Sequence, residues 1–302
     1  VGYFENIASQ RGIAWRCADS LSLREFLGIP LGEDSPDHSS LSVIRNRLPL
    51  VVHREVFVWF LRLAQEKKLL KGKTVAVDST TLEANAAMKS IVRRDTGEDW
   101  NEYLTRLMQE EGVIEEDEAP SDDELRRFDK QRKSKTVSND EWVSEIDPDA
   151  RIARMKDGTT HLAYKAEHVV DVESDVILAA EIYHADQGDT HTLEDSVNHA
   201  QTNQREAGSE VQIVDVAADK GYHGAETLTE IREHTPYRTY VPEPERKHDC
   251  RWTDKPPEQK EAVYANRRRT RGERGKQLQR LRSELAERSF AHVCQTGGAR
   301  RT

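Results

Sequence analysis

Two short apolar stretches, Thr74-Val75-Ala76-Val77 and Val211 to Ala218, each run into an aspartate, Asp78 and Asp219 respectively. Short apolar runs bounded by polar residues are typical of buried strands. In open α/β sheets, ligands bind at the carboxyl ends of parallel strands, so the two carboxylates can converge on one site. Each aspartate is equally suited to cap a helix or form a turn, and the pattern alone leaves both roles open.

The periodicity around these stretches predicts a mixed α/β architecture after residue 73. The predicted order is strand, charged insertion, two strands, helix, strand, helix, strand and helix. The remaining predicted elements are strands over 161–172, 176–183 and 237–241, and helices over 192–206, 225–234 and through Leu278, Leu281 and Leu285.

The sequence pattern of residues 1–73 predicts an all-helical N-terminal domain. Two short helices around a turn, followed by a longer one, fit a helix-turn-helix DNA reader, and they fit a packing or dimerisation module equally well. The signals are Ser20 or Ser22 as the cap of a helix that Gly28 ends, Ser39 or Ser40 as the cap of the next, and an apolar face over 53–70.

The net charge of −10 conceals an uneven distribution. Residues 95–125 contain thirteen acidic residues and one arginine, whereas residues 265–302 contain eleven Lys or Arg and three Glu. We therefore interpret residues 86–157 as a charged insertion, partly helical and partly disordered, with little apolar periodicity. The basic C-terminal stretch suits contact with phosphates.

Composition also limits the class of protein. The chain has 302 residues, and its three cysteines lie far apart with no CxxC pair, which predicts neither a disulfide framework nor a structural zinc site. No apolar run approaches the ~18–20 residues that a bilayer span requires, and no leader pattern opens the chain. We expect a cytoplasmic protein without a membrane partner.

Candidate DNA contacts lie near the C-terminus. An arginine run can follow a DNA backbone, and an aromatic residue in a basic stretch can stack on an unpaired base. A solvated charge run and a packing tryptophan are the alternatives. The candidates are Arg267, Arg268, Arg269, Arg271 and Trp252.

Two carboxylates at one site repel each other unless a cation lies between them, and hard oxygen ligands favour Mg²⁺ or Mn²⁺. A pair of such ions supports phosphoryl transfer, for which a third carboxylate is needed. Glu284 and Glu287 in the basic terminal helix are candidates, and the alternative is surface ion pairing, for example of Glu284 with Arg280. Spacing alone predicts only a metal-dependent phosphoryl-transfer site.

Three blocks of sequence carry a family resemblance. They are Thr74-Val-Ala-Val-Asp78-Ser-Thr-Thr-Leu-Glu-Ala-Asn85, Val216-Ala-Ala-Asp219-Lys-Gly-Tyr-His223, and Leu285-Ala-Glu287-Arg-Ser-Phe-Ala-His292 followed by Thr296-Gly-Gly. They resemble the catalytic blocks of bacterial insertion-sequence DDE transposases. The predicted strand order resembles the ribonuclease H-like core of those enzymes, and residues 1–73 resemble the helical domain that precedes it in one group.

The resemblance implies that Asp78, Asp219 and Glu287 bind two divalent metal ions. It implies hydrolysis at a transposon end and attack of the 3′-hydroxyl on target DNA, with a homodimer on DNA as a further expectation. Family members carry further helix before the position of Val1 and beyond the Thr-Gly-Gly block, so we expect a truncated copy. A stand-alone ribonuclease H-like nuclease and an inactive DNA-binding remnant remain alternatives.

Overall fold

The computed structural model describes residues 9–115, 118–132, 137–155, 158–245 and 252–296, together with Gly2, Glu5 and Ile7. The helices are α1 (Gln10–Asp19), α2 (Leu21–Phe26), α3 (His38–Arg47), α4 (Leu50–Glu66), α5 (Trp100–Glu110), α6 (Asp122–Gln131), α7 (Asp189–Glu206), α8 (Ala225–His234), α9 (Pro257–Arg271) and α10 (Glu273–Ala291). The strands are β1 (Thr74–Glu83), β2 (Ile91–Arg93), β3 (Trp142–Ser144), β4 (Arg151–Arg154), β5 (Thr160–Asp171), β6 (Ile177–His184), β7 (Asp215–Ala217) and β8 (Arg238–Tyr240).

The chain divides into two compact units. Among the described residues, the first unit comprises those up to 79 together with 167–181 and 189–296, and the second comprises those of 80–166 and 182–188. No helix in the described part of the chain has the length and apolar character needed to cross a bilayer. The predicted division into domains at residues 1–73 and 74–302 stays a prediction.

The N-terminal helices follow their local signals in part. The Ser20 hydroxyl caps α2 by accepting from the Leu23 N–H, and Gly28 follows with φ of +69°, as predicted. The cap of α3 is different, because the Asp37 carboxylate accepts the Ser39 N–H, so the prediction of Ser39 or Ser40 as the cap is wrong. An ionised carboxylate is the stronger acceptor at a helix start, where it also interacts favourably with the helix dipole.

The sheet of the first unit brings β1, β7 and β8 side by side in parallel. The strand order there is β6–β5–β1–β7–β8, and β4 completes the six-stranded sheet by pairing antiparallel with β5 over residues 160–163, so the predicted α/β architecture with a mixed sheet is confirmed. Two predicted strand lengths differ from the structure: β1 continues to Glu83 instead of ending before Asp78, and β7 covers only part of 211–218. In β1 the fully buried run nevertheless ends at Val77, which is the boundary that the apolar pattern detects.

One apolar cluster fixes the strands that carry the two aspartates. Val75, Val77 and Val216 are at most 1% exposed and belong to it, together with residues of the covering helices. Burying one such side chain stabilises the fold by about 1.5–3 kcal/mol. The helix residues in the cluster are Leu193, Val197 and Ala200 of α7, Leu228 and Ile231 of α8, and Ala262 and Val263 of α9.

The expectation of little apolar periodicity in residues 86–157 is wrong for the described part of this segment, whereas its interpretation as an insertion stays a prediction. Leu104 and Met108 lie one turn apart on α5 and form a buried cluster with Leu125 of α6. Beside them, Trp100 and Tyr103 pack on Trp142 of β3, which pairs with β2. The many acidic residues hid this 3.6-residue pattern. The expected disorder is not seen there, and residues 116–117, 133–136 and 156–157 lie outside the described residues.

His168 of β5 connects the sheet to α10. Its ring stacks on Phe290 with ring centroids 4.0 Å apart, and its Nδ1 lies 2.9 Å from the Ser289 hydroxyl. Burial lowers the pKa of His168 to about 4. The neutral imidazole is therefore part of the packing that holds the helix bearing Glu287.

We expect this histidine to make stability depend on pH. In the unfolded chain His168 becomes protonated below about pH 6.5, whereas in the folded chain it becomes protonated only near pH 4. Between these two pH values, a fall in pH therefore favours unfolding. The contribution, at most about 3 kcal/mol, is fully present above pH 6.5 and is lost as the pH falls to 4. Urea unfolding of the wild type and of His168→Asn between pH 7 and 4 measures it. Identical pH profiles would contradict the expectation.

Candidate active site

Asp78 lies in β1, and Asp219 lies just after β7, the neighbouring parallel strand. The register pairs Ala76 of β1 with Ala217 of β7, and each aspartate lies two residues further along its strand direction. The predicted adjacency of the two strands is therefore confirmed. Parallel neighbours in register carry their side chains at the same level, so we expect both carboxylates near the carboxyl end of β7, with Asp78 inside the longer β1 and Asp219 in the turn after β7.

Each aspartate also makes a short-range hydrogen bond. Asp219 precedes a 3₁₀ turn (Lys220–Tyr222), and its Oδ1 accepts the Gly221 N–H at 2.6 Å. Asp78 Oδ1 accepts the Ser79 N–H at 3.0 Å. The turn-forming role left open by the sequence is therefore real for Asp219. Because a carboxylate has several lone pairs, this role leaves acceptor capacity for a further ligand.

A cation from the C-terminal helix lies beside Asp78. Arg282 of α10 places its Nη1 3.4 Å from Asp78 Oδ2, with 13% and 19% of the two side chains exposed. The Nε of Arg282 is buried and has no hydrogen-bond partner among the described residues. Local sequence gave no signal for this pair, because its members are brought together only by packing of α10. The position next to Asp78 therefore accepts positive charge.

The two glutamates proposed as third ligand lie on the exposed side of α10. Glu287 accepts from the Ser283 hydroxyl at 3.2 Å, one turn earlier in the same helix. Glu284 forms an ion pair with Arg288 at 2.6 Å, so a surface pair is confirmed but the predicted partner Arg280 is wrong. Over the described residues, no three His, Cys, Asp or Glu side chains come together in a group that would hold a metal ion.

A polar network that the sequence analysis missed lies next to the two aspartates. Asp189 is the first residue of α7, and its Oδ1 accepts a hydrogen bond from the Ser79 hydroxyl at 3.1 Å. Fully buried Glu167 accepts from the hydroxyls of Tyr222 and Thr192, each at 2.8 Å. Burial and the nearby Glu167 carboxylate raise the pKa of Tyr222. A polar residue before a helical pattern was the available signal for Asp189, but it predicts only a cap.

Two of the candidate DNA-binding arginines are engaged within the fold. Arg267 forms a bidentate ion pair with Glu243, with Nη2 2.8 Å from Oε2. Arg269 Nε donates to the Thr239 carbonyl at 2.9 Å. The Arg267 pair lowers the pKa of Glu243. By contrast, Arg268 and Arg271 are exposed on α9. The helical period explains the difference, since the four arginines do not share one face.

Trp252 packs inside the first unit. It lies against the main apolar cluster, with its ring centroid 6.2 Å from that of Tyr264 and with Lys255 Nζ 5.6 Å from the ring. Of the two roles that the sequence left open, packing is the one that the structure supports. The stretch 246–251 before it lies outside the described residues.

Two aspartates beside adjacent parallel strands, with a basic helix next to them, suit an enzyme that acts on DNA, and the family comparison identifies the class as the transposases. The chain belongs to the transposase DDE domain family, whose model matches residues 70–301. Residues 1–47 match a second family, Transposase domain (DUF772). The family resemblance carried by the three sequence blocks is thereby confirmed. No curated protein and no solved structure matches the chain.

Proposed function

We propose that this transposase cleaves DNA at transposon ends and joins the 3′-hydroxyl to target DNA, using Asp78, Asp219 and Glu287 with divalent metal ions. The observation that carries the proposal is the register of β1 and β7, whose last pair lies two residues before Asp78 and Asp219, within the range matched by the family. The order β6–β5–β1–β7–β8 supports the ribonuclease H-like form of the core.

The donor chemistry of the two aspartates fits a hard divalent cation. Both offer carboxylate oxygens, the ligands that Mg²⁺ and Mn²⁺ prefer. The Asp78 carboxylate already accommodates one positive group, the Arg282 guanidinium, at 3.4 Å. When bound, such ions supply activation of an attacking oxygen and stabilisation of a leaving oxygen.

The protein's own residues provide the frame for that chemistry. The buried strands hold Asp78 and Asp219, and the backbone N–H groups of Ser79 and Gly221 orient one oxygen of each. Glu287 is assigned as a ligand by its family block, and its exposed carboxylate is accessible to metal and DNA. Arg282, next to Asp78, is suited to contact a phosphate oxygen of the bound strand.

A strand-transfer assay with a labelled transposon end and a supercoiled target tests the proposal. Joined product in the presence of Mg²⁺ or Mn²⁺ supports transposition. Cleavage without joining would instead show a stand-alone nuclease of the same fold. Binding without either product would show an inactive DNA-binding remnant, an alternative favoured by the separation of Glu287 from the other two carboxylates.

A matched pair of substitutions on α10 tests the third ligand. Glu287→Gln keeps size and hydrogen bonding but removes the charge that a divalent ion needs, so we expect cleavage to be abolished while DNA binding remains. Glu284→Gln removes only a surface partner of Arg288 and should retain most activity. The reverse result in the cleavage assay would show that Glu287 is not the ligand.

The exposed arginines of α9 are proposed to contact the DNA backbone. Replacing Arg268 and Arg271 with Ala should weaken binding to all sequences alike and reduce the slope of log affinity against log salt by about one per lost contact. Arg267→Ala is the control, because its loss affects the pair with Glu243 inside the fold. Fluorescence anisotropy at several salt concentrations measures the slopes. An unchanged slope in the double variant would show that Arg268 and Arg271 are solvated and do not contact the DNA backbone.

The N-terminal helices are proposed to serve in assembly on DNA. Trp59 and Phe60 of α4 are 50% and 59% exposed. Large exposed apolar groups are typical of interaction surfaces more than of phosphate contacts. Of the two roles predicted for residues 1–73, this observation favours assembly, with a second copy of the chain as the partner.

A further inference from the structure

Asp189 lies between the two turns that carry the proposed metal ligands. On one side, its Oδ1 accepts the hydroxyl of Ser79, the residue that follows Asp78. On the other side, it approaches the turn after Asp219 at Gly221. It is also the first residue of α7, where the helix dipole favours a negative charge.

The hydrogen bond to Ser79 controls the geometry around Asp78. The backbone N–H of Ser79 donates to Asp78 Oδ1, while the side chain of Ser79 donates to Asp189. Fixing the Ser79 side chain therefore restricts the backbone that orients Asp78. Positioning of this kind is how outer partners act on metal-binding carboxylates.

The approach to Gly221 is too close for any side chain. A Cβ at this position would lie 2.6 Å from Asp189 Oδ2 and 2.9 Å from Asp219 Oδ1. Both distances are shorter than a carbon–oxygen van der Waals contact, so a side chain here would displace one or both carboxylates. Asp189 and Asp219 are therefore near neighbours, separated by the backbone of a single residue.

We infer that Asp189 is a positioning residue that holds the turns bearing Asp78 and Asp219 at the spacing required to bind a divalent ion. The inference rests on the proposed function of those two aspartates. Asp189 acts on Asp78 through the Ser79 hydroxyl and on Asp219 through the close contact at Gly221. Its negative charge adds to the attraction for a cation without requiring that it ligate the ion.

Mn²⁺ binding to the 302-residue chain, followed by electron paramagnetic resonance, tests this inference without any catalytic assay. Asp189→Ala and Ser79→Ala should each weaken Mn²⁺ binding by about tenfold or more, in the range found for outer-shell partners. Because they break the same link, the double variant should bind Mn²⁺ about as weakly as Asp189→Ala alone. Asp195→Asn, which removes an exposed charge from the same helix, is the control and should bind like the wild type.

Three further measurements separate the possible failures. Gly221→Ala should weaken Mn²⁺ binding while Ser79 keeps its bond, which tests the contact at Asp219 independently. Thermal unfolding distinguishes a positioning role from a structural one, because a lower midpoint with unchanged Mn²⁺ affinity would overturn the inference. The inference would also be overturned if the loss of Mn²⁺ affinity in the Asp189→Ala, Ser79→Ala double variant equalled the product of the two single losses. Unchanged binding in Asp78→Asn would instead refute the proposed metal site itself.

Discussion

Replacing Asp78 with Asn is expected to reduce cleavage of a transposon end by about a thousandfold or more, because groups that act as one catalytic unit lose most of the activity when one is removed. Asn keeps the size of the side chain and an oxygen for the Ser79 N–H. It lacks the charge that binds a divalent ion. Asp219→Asn should give the same loss, since the two positions are equivalent in the register of β1 and β7.

The measurement is single-turnover cleavage of labelled DNA at saturating Mg²⁺ and again at saturating Mn²⁺. DNA affinity, measured in parallel, should not fall, since removing a negative charge near DNA does not weaken the contact with phosphates. Asp195→Asn serves as the control for loss of an exposed acidic group. Cleavage by Asp78→Asn at the wild-type rate would remove this residue from the catalytic site.

Replacing Asp215 with Ala is expected to lower the free energy of unfolding by about 2–3 kcal/mol. Asp215 is fully buried in β7, where Oδ1 lies 2.8 Å from Arg238 Nε and 3.3 Å from the Tyr240 hydroxyl, and Oδ2 binds Arg274. The estimate is at the lower end for a buried pair because both arginine side chains are more than half exposed and regain water when the partner is lost.

Urea unfolding monitored by circular dichroism measures this loss. Glu273→Ala is the matched control, because it removes an exposed partner of Lys276 and should leave the unfolding midpoint unchanged. The cluster around Asp215 joins β7, β8 and α10, so its loss should also weaken Mn²⁺ binding at Asp219. An unfolding midpoint equal to the wild type would show that the cluster does not stabilise β7.

Some errors in the sequence analysis had a common cause in strong local charge. In α5, Trp100, Tyr103, Leu104 and Met108 follow the helical period, but acidic neighbours dominated the composition and suggested an insertion without a core. Those acids have specific roles: Asp99 and Glu102 form a capping box, and Glu98 pairs with Arg106. Composition averages over both faces of a helix, whereas burial selects only one of them.

Residues that are close in sequence determined the parts of this protein that could be predicted. The apolar runs ending at Val77 and Ala218 predicted buried strands, Ser20 and Gly28 bounded a helix, and the three sequence blocks identified the family. These signals are local, because strand burial, capping and turn conformation depend on a few consecutive residues.

Only the tertiary structure decided which side chains meet. In the folded chain, Asp78 pairs with Arg282 and Ser79 donates to Asp189. The carboxylates of Asp189 and Asp219 both lie close to Gly221. Glu287 lies on the exposed side of α10. Arg267 and Arg269 form hydrogen bonds within the fold, whereas Arg268 and Arg271 are exposed. The orientation of a helix on a sheet depends on packing between residues far apart in the chain, and no pattern within one segment records it.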